Sequence, residues 1–158
     1  MKINVAQQIK ESVGSVRHVI IDETDSAGLP VRGKLQLLRT NRSILVSGKL
    51  HTTARDVCSR CLDEFEYPLT LDIEEEYFLT REPVSGTPLT PPPESGAFTI
   101  EESNILDLSE AVRQYTLLAQ PIKPICREDC AGLCSQCGCN LNYETILWIH
   151  MNSHSSLI

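Results

Sequence analysis

The sequence predicts an α+β protein: an antiparallel β-meander or partly closed barrel packed on one amphipathic helix, followed by a C-terminal cysteine-rich module. Three observations predict it. Apolar and polar residues alternate through residues 31–79, apolar residues recur at helical spacing through 107–120, and five of the seven cysteines crowd into 126–139. At 158 residues with 41% apolar content, the chain is long enough to bury one packed core.

Taken in order, Lys2 to Val5 reads as a short strand, Ala6 to Ser12 as a turn of helix, and Val16 to Asp22 as a second strand ending at the turn Asp25-Ser26-Ala27-Gly28. Three long strands follow at Val31–Arg39, Ser43–Val57 and Phe65–Leu79. In the middle one Ile44, Val46, Gly48, Leu50 and Ala54 oppose Ser47, Lys49, His51, Thr53 and Arg55, the period of a half-buried strand. In the last, Tyr67, Leu69, Leu71, Ile73 and Tyr77 oppose a run of carboxylates and threonine. Residues 81–96 are rich in proline and glycine and form a loop, because proline withholds the N–H that a strand or helix needs. Asp107 supplies an N-cap acceptor with Glu110 three residues on, and Leu108, Ala111, Val112, Tyr115, Leu118 and Ala119 share a face, so a helix runs from Asp107 to Gln120. Pro121 and Pro124 end it. The expected organisation is one α+β domain over 1–125, a cysteine-rich module over 126–142 and an atypical tail over 143–158.

Lys10, Glu11, Arg17 and Asp22 interrupt every apolar run in the first thirty residues, so neither a signal peptide nor a membrane span is expected. With an odd number of cysteines and no export signal, the thiols should be reduced and the protein cytoplasmic. Metal ligation is the commonest work for such thiols. Cys126, Cys130, Cys134 and Cys137 form the expected ligand set for one zinc ion, with the knuckle form Cys134-Ser135-Gln136-Cys137-Gly138 supplying two of them and Cys139 left spare. Other sets compete. Cys134 and Cys137 with His150 and His154 match the spacing of a zinc finger, although Asn140 to Ile158 holds no Lys or Arg to meet phosphate. Cys58-x2-Cys61, at the tip of a proposed hairpin, could join Cys134 and Cys137 in a two-knuckle zinc ribbon. An alternative of another class is a thiol oxidoreductase or redox sensor using Cys58 and Cys61, but the strand–helix–strand context of thioredoxin-like catalysis is missing.

No catalytic constellation accompanies the cysteines. Glu74-Glu75-Glu76 reads as a charged sheet surface, and no phosphate loop or serine-nucleophile motif is present, so neither an enzyme nor a small-molecule substrate is expected. Charge is uneven: residues 1–61 are net basic and 62–120 strongly acidic within an overall charge of -7. Arg32, Lys34, Lys49 and Arg55 form a candidate RNA-binding stripe on the predicted sheet, and the competing reading pairs them with the acidic strand Glu66–Glu76.

Several residues together carry a likeness. Val57-Cys58-Ser59-Arg60-Cys61-Leu62 followed by Phe65 and Pro68, Asp107-Leu108, Leu117-Leu118-Ala119 with Pro121, then Cys126, Cys130, Gly132-Leu133-Cys134, Cys137-Gly138 and Leu141-Asn142 resemble the YceD family. Its members are called large ribosomal RNA subunit accumulation proteins and are described as predicted metal-binding, candidate nucleic-acid-binding proteins. The resemblance covers about residues 1 to 142. It implies a non-enzymatic role in accumulation of large-subunit ribosomal RNA, with ribosomal RNA or a ribosome assembly intermediate as partner, and it places RNA association ahead of ion pairing. After Asn142 the sequence departs from the pattern, which a truncation or frame change would explain, unless His150 and His154 replace missing thiols.

Overall fold

A computed structural model describes residues 1–90, 92, 96–101 and 103–143. The chain forms two compact units, the first from Met1–Ala54 with Pro68–Gln120, the second from Arg55–Tyr67 with the chain from Pro121 onward. The elements run β1 (Lys2–Asn4), α1 (Ala6–Lys10), β2 (Val16–Thr24), β3 (Pro30–Arg39), β4 (Ser43–Val57), β5 (Glu64–Leu79), β6 (Phe98–Ile100), β7 (Ile105–Asp107) and α2 (Ser109–Ala119).

Five strands make one sheet in the order β2-β3-β4-β5-β6, and β1 pairs antiparallel with β7 in a second, two-stranded sheet. The large sheet is open, so the expectation of a partly closed barrel is corrected: β2 and β6 stand at opposite edges. It is also mixed, since β6 joins β5 in parallel, with Phe78 opposite Thr99. The chain reaches that edge through the proline-rich stretch after β5, and parallel pairing requires such a crossover rather than a tight turn.

Alternation sets the core of the first unit. On β4, Ile44, Val46 and Leu50 are fully buried while Lys49, His51 and Arg55 are exposed. Val31, Leu35 and Leu37 of β3 and Leu71, Ile73 and Tyr77 of β5 join them, together with Ile3, Val5, Ile9, Leu106, Leu108 and Val112 from the shorter elements. β3 and β4 approach closely where glycine alternates with leucine, Gly33 opposite Leu50 and Leu35 opposite Gly48. A Cβ on Gly48, whose φ is +149, would lie 2.4 Å from the Lys34 carbonyl oxygen.

The helix differs from its expected form at both ends. Asp107 closes β7 and Leu108 is the N-cap, yet the Asp107 carboxylate still accepts the Ser109 N–H at 2.9 Å. Glu110 does not reach back to complete a capping box; its carboxylate takes hydrogen bonds from Arg113 and Gln114. Ala111 and Val112 are buried and Tyr115 partly so, but Leu118, expected on the same face, is 81% exposed. No helix among the described residues is long and apolar enough to cross a membrane.

In the second unit, the tip of the β4–β5 hairpin and the cysteine-rich segment are parts of one body. The segment from Pro121 carries a small hairpin of its own, bridged between Leu133 and Asn140.

Candidate metal centre

Cys58 and Cys61 sit in the hairpin tip that joins β4 to β5. The Cys58 N–H donates to the Asp63 carbonyl at 2.9 Å and the Leu62 N–H to the Cys58 carbonyl at 3.0 Å, so the chain reverses within six residues. Leu62 takes a φ of +63 to make the turn. Cys126 and Cys130 come from the other part of the unit. The Ser59 N–H donates to the Pro124 carbonyl at 2.8 Å, and the Arg60 guanidinium donates to the carbonyls of Glu128 and Cys130 at 3.3 and 3.2 Å. A Cβ on Gly132 would meet the Arg60 carbonyl oxygen at 3.2 Å, so this loop and the tip are in close backbone contact.

The four sulfurs of Cys58, Cys61, Cys126 and Cys130 all lie within 4.8 Å of one another. Cys58 Sγ stands 3.8 Å from Cys130 Sγ, and Cys61 Sγ stands 3.7 Å from Cys126 Sγ. A tetrahedron of thiolates at the zinc–sulfur distance of about 2.3 Å has edges of about 3.8 Å, and these two separations match that edge. The cluster is buried: Cys58, Cys61 and Cys130 form a small core with Phe65 and Cys126 against it.

Several N–H groups point at the sulfurs, as thiolate ligands require. The N–H groups of Arg60 and Cys126 each lie 3.4 Å from Cys58 Sγ, and Asn142 Nδ2 lies 3.4 Å from Cys130 Sγ. Burial opposes ionisation of Cys58, but the backbone donors of Cys61, Cys126 and Arg60 outweigh it and bring the thiol down to about 6. Cys61 goes the other way. The Asp63 N–H favours its thiolate, yet burial and the hydrogen bonds shared with Cys58, Cys130 and Cys126 together push it up to about 12. Crowded sulfurs cannot all hold negative charge unless a cation neutralises them.

Asn142 organises this end of the unit. Its side-chain oxygen accepts the Ala131 N–H and the Arg127 guanidinium, both at 2.8 Å. Asp63 accepts Asn140 Nδ2 at 2.8 Å and the Tyr143 hydroxyl at 3.0 Å. Neither Asp63 nor the asparagines were singled out as site residues from sequence, and the only signal was the Leu141-Asn142 pair in the family likeness.

The quartet expected from sequence, Cys126, Cys130, Cys134 and Cys137, is not brought together. Cys126 and Cys130 gather with Cys58 and Cys61, while Cys134 and Cys137 gather with Cys139, which was expected to be spare. Density along the chain misled because Cys134 and Cys137 face Cys139 across their own hairpin tip, whereas the partners of Cys126 and Cys130 are more than sixty residues away. His150 and His154 lie outside the described residues.

The cations of the predicted stripe are mostly paired. Arg32 meets Asp22 at 2.8 Å, Lys49 meets Asp72 at 2.9 Å and Arg55 meets Glu66 at 2.6 Å, all at exposed positions. Lys34 lies directly opposite Lys49 in the β3–β4 register.

A family model described as large ribosomal RNA subunit accumulation protein YceD matches residues 46–154, a span that holds all four clustered thiols. The chain belongs to the YceD family. Among curated relatives, an uncharacterized protein of Mycobacterium leprae is 26% identical over 117 residues, which is 74% of this chain and 52% of that protein. Uncharacterized proteins of Mycobacterium bovis and Mycobacterium tuberculosis are each 29% identical over 110 residues, 70% of this chain and 51% of theirs. The chain therefore spans about half the length of the curated relatives it matches. No solved structure matches it.

Proposed function

We propose that this YceD-family chain is a non-enzymatic factor in the accumulation of large-subunit ribosomal RNA, and that one zinc ion held by Cys58, Cys61, Cys126 and Cys130 builds its second unit. The observation that carries the metal reading is the convergence of four sulfurs from two segments of the chain, three of them on buried cysteines and the fourth on the half-buried Cys126, with two of their separations at the edge length of a tetrahedron. Zinc suits the set because it binds thiolates in a closed tetrahedral site and takes part in no redox cycle. It would act structurally, since four protein ligands leave no position for a substrate. The family description supports the ribosomal RNA reading. Cys58 and Cys61 are 0% and 2% exposed and are engaged with two further cysteines, an arrangement that favours ligation over a freely reacting redox pair.

Direct RNA contact through Arg32, Lys34, Lys49 and Arg55 is a second part of the proposal. Its support is the exposure of all four basic side chains on the adjacent strands β3 and β4, with Lys34 in register across from Lys49. The carboxylates already beside Arg32, Lys49 and Arg55 are no strong competitor, because exposed ion pairs contribute only about 0 to 1 kcal/mol each.

The test is elemental analysis of Cys61→Ser and Cys126→Ser, alongside large-subunit ribosomal RNA levels in cells carrying only the variant. Both variants should lose one tightly held zinc and fail to restore the RNA. Retention of that zinc sinks the ligand set, and normal RNA in a metal-free variant separates the metal from the function.

A further inference from the structure

The three thiols outside the buried quartet are themselves gathered. The sulfurs of Cys134, Cys137 and Cys139 lie within 4.8 Å of one another. Their loop repeats the hairpin tip of the first cluster bond for bond. The Cys134 N–H donates to the Cys139 carbonyl at 2.8 Å and the Gly138 N–H to the Cys134 carbonyl at 2.9 Å, matching the Cys58–Asp63 and Leu62–Cys58 bonds. Gly138, with a φ of +72, stands where Leu62 stands, and Cys134 and Cys137 stand where Cys58 and Cys61 stand.

A third hairpin separates backbone from chemistry. In the tip 82–87 the Glu82 N–H donates to the Thr87 carbonyl and the Gly86 N–H to the Glu82 carbonyl, each at 2.9 Å, beneath a bridge from Arg81 to Pro88. That loop closes without a cysteine, so the turn does not need thiols in order to form. At 134–139 the thiols occupy the first, fourth and sixth positions of such a turn, and Cys137 is exposed. A packing role does not explain an exposed thiol, since structural cysteines are among the most buried residues.

We infer that Cys134, Cys137 and Cys139 form a second cation site, distinct from the buried quartet, that binds a thiophilic divalent ion such as Zn2+ through three thiolates. Cys137 Sγ and Cys139 Sγ now stand 2.9 Å apart, and a side-chain rotation of roughly an ångström opens them to the tetrahedral edge of about 3.8 Å. Each thiol releases its proton to solvent as the ion binds. The described residues supply three ligands, and the site lies at the surface, so its ion exchanges faster than the one in the buried cluster.

The test uses reduced full-length protein under oxygen-free conditions, titrated with Zn2+ and then challenged with a chromogenic chelator. Two equivalents should bind and leave in two phases, fast and slow. Cys139→Ser and Cys137→Ser should abolish the fast phase and keep the slow one, with unchanged circular dichroism, whereas Cys58→Ser should remove the slow phase. A total of one zinc per saturated parent chain, or a Cys139→Ser chain that keeps both phases, overturns the site without touching the quartet of Cys58, Cys61, Cys126 and Cys130.

Discussion

Leu62 is one of two non-glycine residues with positive φ among the described residues, and its side chain is 62% exposed. The left-handed region costs a branched residue about 1 to 2 kcal/mol, and glycine avoids that at the expense of a more flexible unfolded chain. Leu62→Gly should therefore stabilise the zinc-loaded protein by up to about 1 kcal/mol in urea unfolding; a loss would mean that the leucine makes contacts that outweigh its backbone strain. Asn142 donates to Cys130 Sγ while its oxygen accepts the Ala131 N–H, so it would orient the proposed ligand without touching the metal. Asn142→Ala should weaken zinc binding by about 10- to 100-fold in chelator competition, while leaving the stoichiometry of the buried quartet at one. Thiols reveal themselves in a sequence by their chemistry, so all four clustered cysteines were among the candidates. Their partition was not legible, because nothing local to Cys126 or Cys130 records which distant loop folds beside them. Asp63 and Asn140 carry no such signal, since a hydrogen bond to a turn leaves no periodic trace.

At the scale of elements, the long strands were readable because alternation over ten or more residues has one explanation. β6 and β7 hold three residues each, too few to show a period, and the parallel pairing of β6 cannot be anticipated from composition. The same sheet carries its tightest constraint at Gly48. Gly48→Ala should lower stability by about 2 kcal/mol or more in denaturant unfolding, since its Cβ would overlap the Lys34 carbonyl and its φ lies where alanine is strained. An unaffected midpoint would mean that β3 and β4 can separate freely. Helix α2 carries a pH signature. The Arg113 guanidinium, aided by Gln114, holds the Glu110 carboxyl at about 2, well below the usual glutamate range. A depressed folded-state value means that the contribution is present above the unfolded value near 4.3 and disappears as pH falls toward 2. The parent should thus melt above Glu110→Gln at pH 6, with the two midpoints merging by about pH 2; a constant gap would place the effect elsewhere. The Glu110 side chain is half exposed, so solvent screens the pair and the gap at pH 6 should be small.

For the whole molecule, the question is whether the paired cations also serve RNA. Replacing Arg32, Lys34, Lys49 and Arg55 together by glutamine should flatten the salt dependence of RNA association, by a slope of roughly 0.7 per lost phosphate contact on single strands, while zinc content stays unchanged. Equal slopes for parent and variant would leave these side chains as surface ion pairs only. The family was legible at this scale through a likeness spread over many residues, whereas the division into units was not, since the second unit takes its pieces from both sides of a long stretch of the first. That division sets a timetable for synthesis. Cys61 and Cys126 are 65 residues apart, so a ribosome that has made Cys61 must add the whole interval before the other two thiols of the proposed site exist. Until then the emerging chain offers two thiols, too few to hold an ion against cellular competitors. Closing so wide a loop stabilises the finished protein by about 4 kcal/mol if the metal acts as a crosslink does, and none of that is present in a chain stopped before Cys126. Metal loading would thereby mark chains whose synthesis has passed Cys130, and arrested fragments would remain open to proteases.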